Sequence, residues 1–210
     1  MTGTGQSAMA EGRKHALIAA TLLACAALAA VPLLDIFNRI AYNPNEGWNA
    51  FNAALYQFPD KLYPDGNAFT FNNYPPLYFY ILGILGNISG DYIFVGRVIS
   101  LASITLIAFL IHRISILIAG ARSGILLIGP GLFFLYNLTA FRGYFALSDP
   151  QWLALLFTTW AMYLLLRSDA SGRTDYRLEI LAAILVVLGL MIKHNILAMP
   201  LKSSQIVALR

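Results

Sequence analysis

The sequence predicts an all-α membrane protein: a polytopic transmembrane helical bundle of five or six spans, with two interfacial helices in its first extracytoplasmic loop. Hydrophobic residues make up 59% of the 210 residues and charged residues only 11%, whereas soluble domains carry roughly 25% charged residues. The apolar residues come in runs too long for a soluble core. A single long polar interval, residues 35–74, follows the first run.

The N-terminus combines a polar tail with the first predicted span. Residues 1–14 lack helical or strand periodicity and are expected to form a disordered cytoplasmic tail that ends in Arg13 and Lys14. Residues 15–34 then have about the 20 apolar residues that a crossing needs. A cleaved signal peptide is the alternative, but its apolar core would usually have only about 7–15 residues. Residues 15–210 are therefore predicted to form one transmembrane domain.

The loop and the segment after it, residues 35–91, contain both predicted interfacial helices. In residues 45–58, Trp48, Phe51 and Leu55 recur every three or four positions, which indicates one apolar stripe on a short surface helix. Asn45 is the expected N-cap and places Glu46 in the first turn. Residues 75–87 are apolar but too short to span, so they predict a second interfacial helix.

Four further spans are predicted at residues 92–111, 124–140, 151–166 and 178–192, with a sixth apolar segment at 196–209. Gly129, Pro130 and Gly131 are expected to kink the third span. Lys and Arg residues are dense on the side assigned to the cytoplasm: Arg13, Lys14, Arg113, Arg122, Arg167, Arg173 and Arg177. The positive-inside rule then predicts a cytoplasmic N-terminus and an extracytoplasmic loop.

This topology gathers five charged residues at the outer interface: Glu46, Arg97, Arg142, Asp149 and Lys193. Each has a structural explanation of its own, since an Arg can reach headgroups, an Asp can cap a helix and a Glu can complement a helix dipole. Together they suit a site that deprotonates a hydroxyl and grips an anionic phosphate. The net charge of +4 is assigned to helix orientation, and no nucleic-acid partner is expected.

Motif searches favour no other chemistry. The sequence has no paired-cysteine or HExxH metal motif, no Walker loop and no Rossmann glycine pattern, and Cys25 is its only cysteine. No metal ligand is therefore assigned.

The order of motifs resembles the N-terminal portion of the GT-C membrane glycosyltransferases, in particular the glycosyltransferase 39, protein O-mannosyltransferase, aminoarabinose transferase and galacturonosyltransferase-like group. The resemblance covers roughly residues 15–200 and lies in order and spacing. It is carried by Asn45-Glu46, Tyr74-Pro75-Pro76-Leu77, Gly96-Arg97-Val98-Ile99-Ser100, Asp149-Pro150 and Lys193. The first acidic position of the family's acidic pair is Asn45 here.

The resemblance implies an enzyme that moves a hexosyl or pentosyl group from a polyprenyl-phosphate donor to a lipid or cell-envelope glycan, such as lipopolysaccharide. The reaction would occur on the outer face of a bacterial-type inner membrane. Glu46 would be the catalytic base, and the substrate-binding residues would be Arg97, Arg142, Asp149, Lys193 and Tyr74. Asp149 would orient the acceptor or hold a divalent cation, the one cofactor under consideration.

Two alternatives stay open at this point. Members of the family have more spans than this chain provides, so the chain is expected to be incomplete and could be a truncated, non-catalytic relative. The other alternative is a transporter or flippase-like membrane component. A transporter would be expected to place charges near mid-bilayer and to show repeat symmetry, and the sequence shows neither.

Overall fold

A computed structural model describes residues 3–65, 72–120, 124–170 and 175–197. These residues form helices and connecting turns without any strand, which confirms the predicted all-α class. The helices are α1 Gly3–Asp35, α2 Pro44–Ala54, α3 Pro59–Leu62, α4 Leu77–Ser89, α5 Tyr92–Ala119, α6 Ile128–Thr139, α7 Pro150–Ala170 and α8 Tyr176–Ile192. Short 3₁₀ turns occur at Gly124–Leu127, Arg142–Tyr144 and His194–Leu197. Most of the predicted sixth segment, from residue 198 onward, lies outside the described residues.

Two of the described helices are long and apolar enough to cross a bilayer: the Glu11–Asp35 part of α1, with 25 residues, and α5, with 28. Helices α6 and α8 have 12 and 17 residues, fewer than the roughly 20 that a crossing needs. Helix α7 has 21 residues but is not apolar enough to be counted with these two. A bundle of five or six spans therefore stays a prediction.

Three helix boundaries differ from the sequence-based expectation. Helix α1 begins at Gly3, so the segment predicted to be a disordered tail extends the helix by about three turns through Ala, Gln, Glu and Arg residues that favour helix. Helix α2 begins at Pro44 with Asn43, not Asn45, as its N-cap. Helix α6 begins at Ile128, directly after the 3₁₀ turn Gly124–Leu127, so Pro130 lies in its first turn, where a proline is tolerated.

The core has two parts, and α7 belongs to both. The larger part joins α5, α6, α7 and α8 through fully or nearly buried side chains that include Ile104, Leu138, Trp152 and Leu164. The smaller part packs α2 and α4 against α7 and the end of α8, with Phe79, Leu82 and Ile192 at its centre. Helices α2 and α4, the two helices predicted to be interfacial, are thereby fixed to the bundle.

The last residue of α1 and the adjoining ends of α5, α7 and α8 meet at one end of the bundle, here called the site end. Arg97 near the start of α5 hydrogen-bonds the main chain at Asp35, which ends α1. Lys193, just after α8, contacts Asp149, just before α7. At the other end, Arg113 Nη2 lies 3.5 Å from the Tyr163 hydroxyl. The direction of each helix thus brings Arg97, Asp149 and Lys193, which were predicted to lie together, to the site end.

Candidate functional site

The start of α2 places Glu46 inside the protein. The Asn43 side chain caps the helix by accepting a hydrogen bond of 3.0 Å from the Glu46 N–H, and Pro44 supplies the fixed φ that suits a first helical position. The Glu46 carboxylate turns back and accepts from the Tyr42 N–H at 3.0 Å. Glu46 has no solvent-exposed surface, so its charge requires partners within the fold.

Arg97 supplies the main partner. Its Nε donates to Glu46 Oε1 at 2.8 Å and its Nη2 to Oε2 at 2.6 Å, the two-pronged geometry that favours arginine over lysine. Its other three N–H groups donate to the carbonyl oxygens of Asp35, Asn38 and Ile40. A guanidinium has five N–H donors, so every donor of Arg97 is used. The Tyr42 ring covers the guanidinium at 4.6 Å.

Ser148, the residue before Asp149, is held from three sides. Its N–H donates to Glu46 Oε1 at 3.0 Å and its carbonyl accepts from Asn49 at 2.9 Å. Its hydroxyl lies 3.2 Å from the Tyr78 hydroxyl. Gly96 lies against the Ser148 side chain, where no Cβ would fit. The main chain at residue 148 is therefore fixed by α2, α4 and α5 together.

Asp149 and Lys193 form a second ion pair. Lys193 Nζ lies 3.3 Å from Asp149 Oδ1, and both side chains are about nine-tenths or more buried. The same Oδ1 accepts from the Gln151 N–H at 2.7 Å and so satisfies a free donor in the first turn of α7. The Tyr74 ring lies 5.2 Å from Lys193 Nζ, within cation–π range.

Two cavities open at the site end. The Asp149 cavity, about 590 Å³, is bounded by Asp149, Lys193 and Gln151 and by aromatic residues that include Phe133, Tyr144 and Trp152. The Arg142 cavity, about 430 Å³, lies between the end of α1 and the turn that follows α6, and Asp35, Tyr42 and Arg142 line it. The volume of the Asp149 cavity falls within the roughly 300–1,000 Å³ typical of small-molecule sites.

The two predicted groups of site residues thus occupy different environments. Glu46 lines neither cavity, and Arg97 borders the Arg142 cavity with its donors already used. Asp149 and Lys193 line the larger cavity, and Tyr74 packs beside them. Arg142 is exposed at the smaller cavity and has no ion pair among the described residues. All six predicted residues lie at the site end. Glu46 and Arg97 form one cluster, Asp149, Lys193 and Tyr74 form another, and Arg142 lies at the edge of the smaller cavity.

Two tyrosines at the site have raised pKa values. Burial raises the pKa of the Tyr78 hydroxyl well above its ordinary value, and the bond to Ser148 offsets part of this rise. A hydrogen bond to Asp35 raises the pKa of the Tyr42 hydroxyl. Both hydroxyls therefore stay protonated at neutral pH and act as neutral hydrogen-bonding groups.

The described side chains do not form a metal centre. Among the described residues, no group of three or more His, Cys, Asp and Glu side chains is close enough to hold a metal ion. Asp149 is paired with a lysine instead, and an ammonium beside a carboxylate opposes the binding of a second cation. The cation-holding role of Asp149 stays a prediction.

Sequence reasoning missed the residues that support the predicted ones. Ser148, Asn49 and Tyr78 fix the chain next to Asp149, and Gly96 provides the space for Ser148. The available signal was adjacency, since Gly96 precedes Arg97 and Ser148 precedes Asp149. Ala146 in the same turn has φ 53°, a left-handed conformation that is uncommon for residues other than glycine.

Comparison of the chain with protein-family models, with curated protein sequences and with solved structures finds no match. Function is therefore inferred from the side chains and cavities described above.

Proposed function

We propose that the protein is a membrane glycosyltransferase that moves a sugar from a polyprenyl-phosphate donor to a lipid or cell-envelope glycan acceptor. The reaction would take place on the extracytoplasmic side of a bacterial-type plasma membrane. The observation that carries the proposal is the buried Asp149–Lys193 pair on the wall of a 590 Å³ cavity rich in aromatic residues. Such a cavity offers an acid and a cation to the polar part of an amphiphile and an apolar wall to the rest.

The apolar surface of the helices supports a membrane setting. Only 6% of the most apolar 18-residue stretch of α1 is buried within the protein, and Leu22, Leu23 and Leu34 are each at least 60% exposed. Helix α8 likewise exposes Ile180 and Val187. Water disfavours apolar surface of this extent, whereas lipid accepts it. We therefore include a bundle of five or six spans in the proposal, with α2 and α4 at the outer interface.

The cations at the site end suit a donor that carries a phosphate. Lys193 lies in the Asp149 cavity and Arg142 at the neighbouring one, and both are long side chains with donors that can reach a phosphate oxygen. When the bond between the sugar and the phosphate oxygen breaks, negative charge grows on the phosphate. A nearby ammonium stabilises this charge and so lowers the barrier to transfer. Tyr74 holds the ammonium in position through its ring.

The sequence-based hypothesis gives the role of catalytic base to Glu46, and that role stays a prediction. In the fold, both Glu46 oxygens accept two hydrogen bonds each and neither cavity reaches them. A base must contact the proton that it removes. A Glu46 that acts as the base would have to leave Arg97 before the reaction.

A transfer assay with matched lysine variants tests the proposal. Membranes that contain wild type, Lys193→Met or Lys61→Met are incubated with polyprenyl-phosphate sugars labelled in the sugar. Lys61 is exposed on α3, away from both cavities, and is the control. We expect wild type and Lys61→Met to transfer label to lipid or glycan, and Lys193→Met to be slower by about 100-fold, the usual cost of one stabilising donor. Equal rates for Lys193→Met and wild type, or no transfer by wild type with any donor, would contradict the proposal.

A further inference from the structure

The carboxylates of Glu46 and Asp149 differ in how many hydrogen bonds they already accept, and this number decides which of them can accept a proton. A carboxylate has about four lone-pair positions. Glu46 fills them with Arg97 Nε, Arg97 Nη2, the Tyr42 N–H and the Ser148 N–H, at 2.6 to 3.0 Å. Because all five donors of Arg97 are used as well, neither member of this pair can bind a substrate without breaking existing hydrogen bonds.

Asp149 has a free oxygen. Its Oδ1 accepts from the Gln151 N–H and from Lys193 Nζ, whereas its Oδ2 has no hydrogen bond with any described residue. The side chain is 3% exposed and lines the 590 Å³ cavity. The fully buried side-chain atoms without a partner among the described residues are Asn49 Oδ1, Asn72 Nδ2 and Ser100 Oγ, so Asp149 Oδ2 keeps some accessible surface. A water or a hydroxyl can therefore reach it. Oδ2 is therefore the atom of Asp149 that can accept a hydrogen bond from a hydroxyl in the cavity.

We propose that Asp149, rather than Glu46, receives the proton of the acceptor hydroxyl in the transfer reaction, and that the Glu46–Arg97 pair positions Asp149 through Ser148. This inference rests on the proposed function. The acceptor oxygen forms a bond to the anomeric carbon of the sugar, and the bond from that carbon to the phosphate oxygen breaks. Its electron pair leaves with the polyprenyl phosphate, and the acceptor proton passes to Asp149 Oδ2. No metal or redox partner is needed for this balance.

The positioning role follows from the contacts of Ser148. Glu46 holds its N–H and Asn49 holds its carbonyl, so the peptide groups on both sides of Ser148 are fixed. The next residue is Asp149, whose direction into the cavity depends on that main chain. Arg97 in turn holds Glu46 and the chain at Asp35, Asn38 and Ile40. The first loop and the turn before α7 are therefore locked together by one ion pair.

The other walls of the cavity fit a sugar ring beside Asp149. Trp152, Tyr144 and Phe133 add aromatic surface to the cavity wall, while Gln151 and Asn137 add amides that can bond hydroxyls. Asn137 is 5% exposed and donates through Nδ2 to the Phe133 carbonyl, which leaves its amide oxygen as an acceptor. The ligand class is therefore a sugar joined through a phosphate to an apolar chain.

The test uses a substitution of nearly the same shape that removes the free carboxylate oxygen. Asp149→Asn keeps an oxygen that can cap α7 and face Lys193, and replaces Oδ2 by an amide that cannot take a proton. Asp175→Asn is the matched control, since Asp175 caps α8 in the same manner at an exposed position away from the cavity. We expect Asp149→Asn to transfer labelled sugar at least about 100-fold more slowly than wild type, and Asp175→Asn to match wild type. Asp149→Asn should melt at a lower temperature than wild type, because the buried Lys193 loses its anionic partner, so transfer by all three proteins is compared well below that temperature.

Added formate distinguishes the base from a residue that acts through it. A small carboxylate can enter the cavity left by Asp149→Ala and restore part of the transfer, whereas Glu46→Ala should not respond because its space lies outside the cavity. Wild-type activity together with a full rate for Asp149→Asn, or formate rescue of Glu46→Ala alone, would overturn the assignment to Asp149. An absence of transfer by wild type would overturn the proposed function and this inference with it.

Discussion

Replacement of Arg97 by Met is expected to destabilise the protein by about 3–5 kcal/mol, the usual cost of leaving one member of a buried ion pair without its partner. Arg97 is 1% exposed and Glu46 fully buried. The substitution removes five hydrogen bonds and leaves the Glu46 carboxylate with two main-chain donors. The free energy of unfolding in detergent, followed by tryptophan fluorescence during denaturant titration, measures the loss.

Arg39→Met is the matched control for this prediction. Arg39 belongs to the same loop and also forms an ion pair, with 3.5 Å between its Nε and Asp91 Oδ2, but its side chain is 87% exposed. Exposed pairs contribute little to stability, so Arg39→Met should unfold almost as wild type does. The double variant Glu46→Gln/Arg97→Met should lose less than the sum of its single changes, because no unpaired charge is left. Equal stability of Arg97→Met and Arg39→Met would show that the buried pair does not hold the site together.

Replacement of Gly96 by Ala is the second change with a large expected effect. A Cβ at residue 96 would overlap Ser148 Oγ and lie 2.5 Å from Ser148 Cβ and 3.3 Å from its Cα. Ser148 cannot withdraw, since Glu46, Asn49 and Tyr78 hold it. We expect a loss of about 1–3 kcal/mol from overpacking, together with slower sugar transfer because Asp149 moves with Ser148. Thermal unfolding and the transfer assay measure the two effects.

Gly129→Ala is the corresponding control. Gly129 also lies in a helix, and the nearest atom to its Cβ position is a side-chain atom of Ile111 at 3.7 Å, an ordinary contact distance. Alanine favours helix more than glycine does, so this variant should be as stable as wild type or slightly more so. If Gly96→Ala behaved in the same way, the close packing of α5 against the turn before α7 would be incorrect.

Much of the helical framework could be predicted from the sequence because it depends on local signals. Apolar runs and their polar interruptions gave the helices, and the alternation of chain direction brought Arg97, Asp149 and Lys193 to one end. The expected boundaries differ from the observed ones where local signals conflict. Pro130, for example, suits either a kink or a first turn, and in the fold it lies in the first turn of α6.

The different roles of the Glu46 and Asp149 carboxylates could not be predicted in the same way. The contact between Glu46 and Arg97 joins residues 51 positions apart, and that between Glu46 and Ser148 joins residues 102 apart. Both depend on how α2 docks on α5 and on the turn before α7. A sequence pattern identifies Glu46 and Asp149 as charged residues at helix starts, but it does not state which of them faces a cavity.

The most direct test of the account is the sidedness of the two segments that Glu46 and Ser148 join. Single cysteines replace Lys61, Gly143 or Arg167 in a Cys25→Ser background; all three positions are exposed, and a side chain at residue 143 meets no atom within 4 Å. Intact cells are treated with a membrane-impermeant maleimide. We predict that residues 61 and 143 react from outside and that residue 167 reacts only after the membrane is opened. Labelling of residues 61 and 143 from opposite sides would contradict a common site.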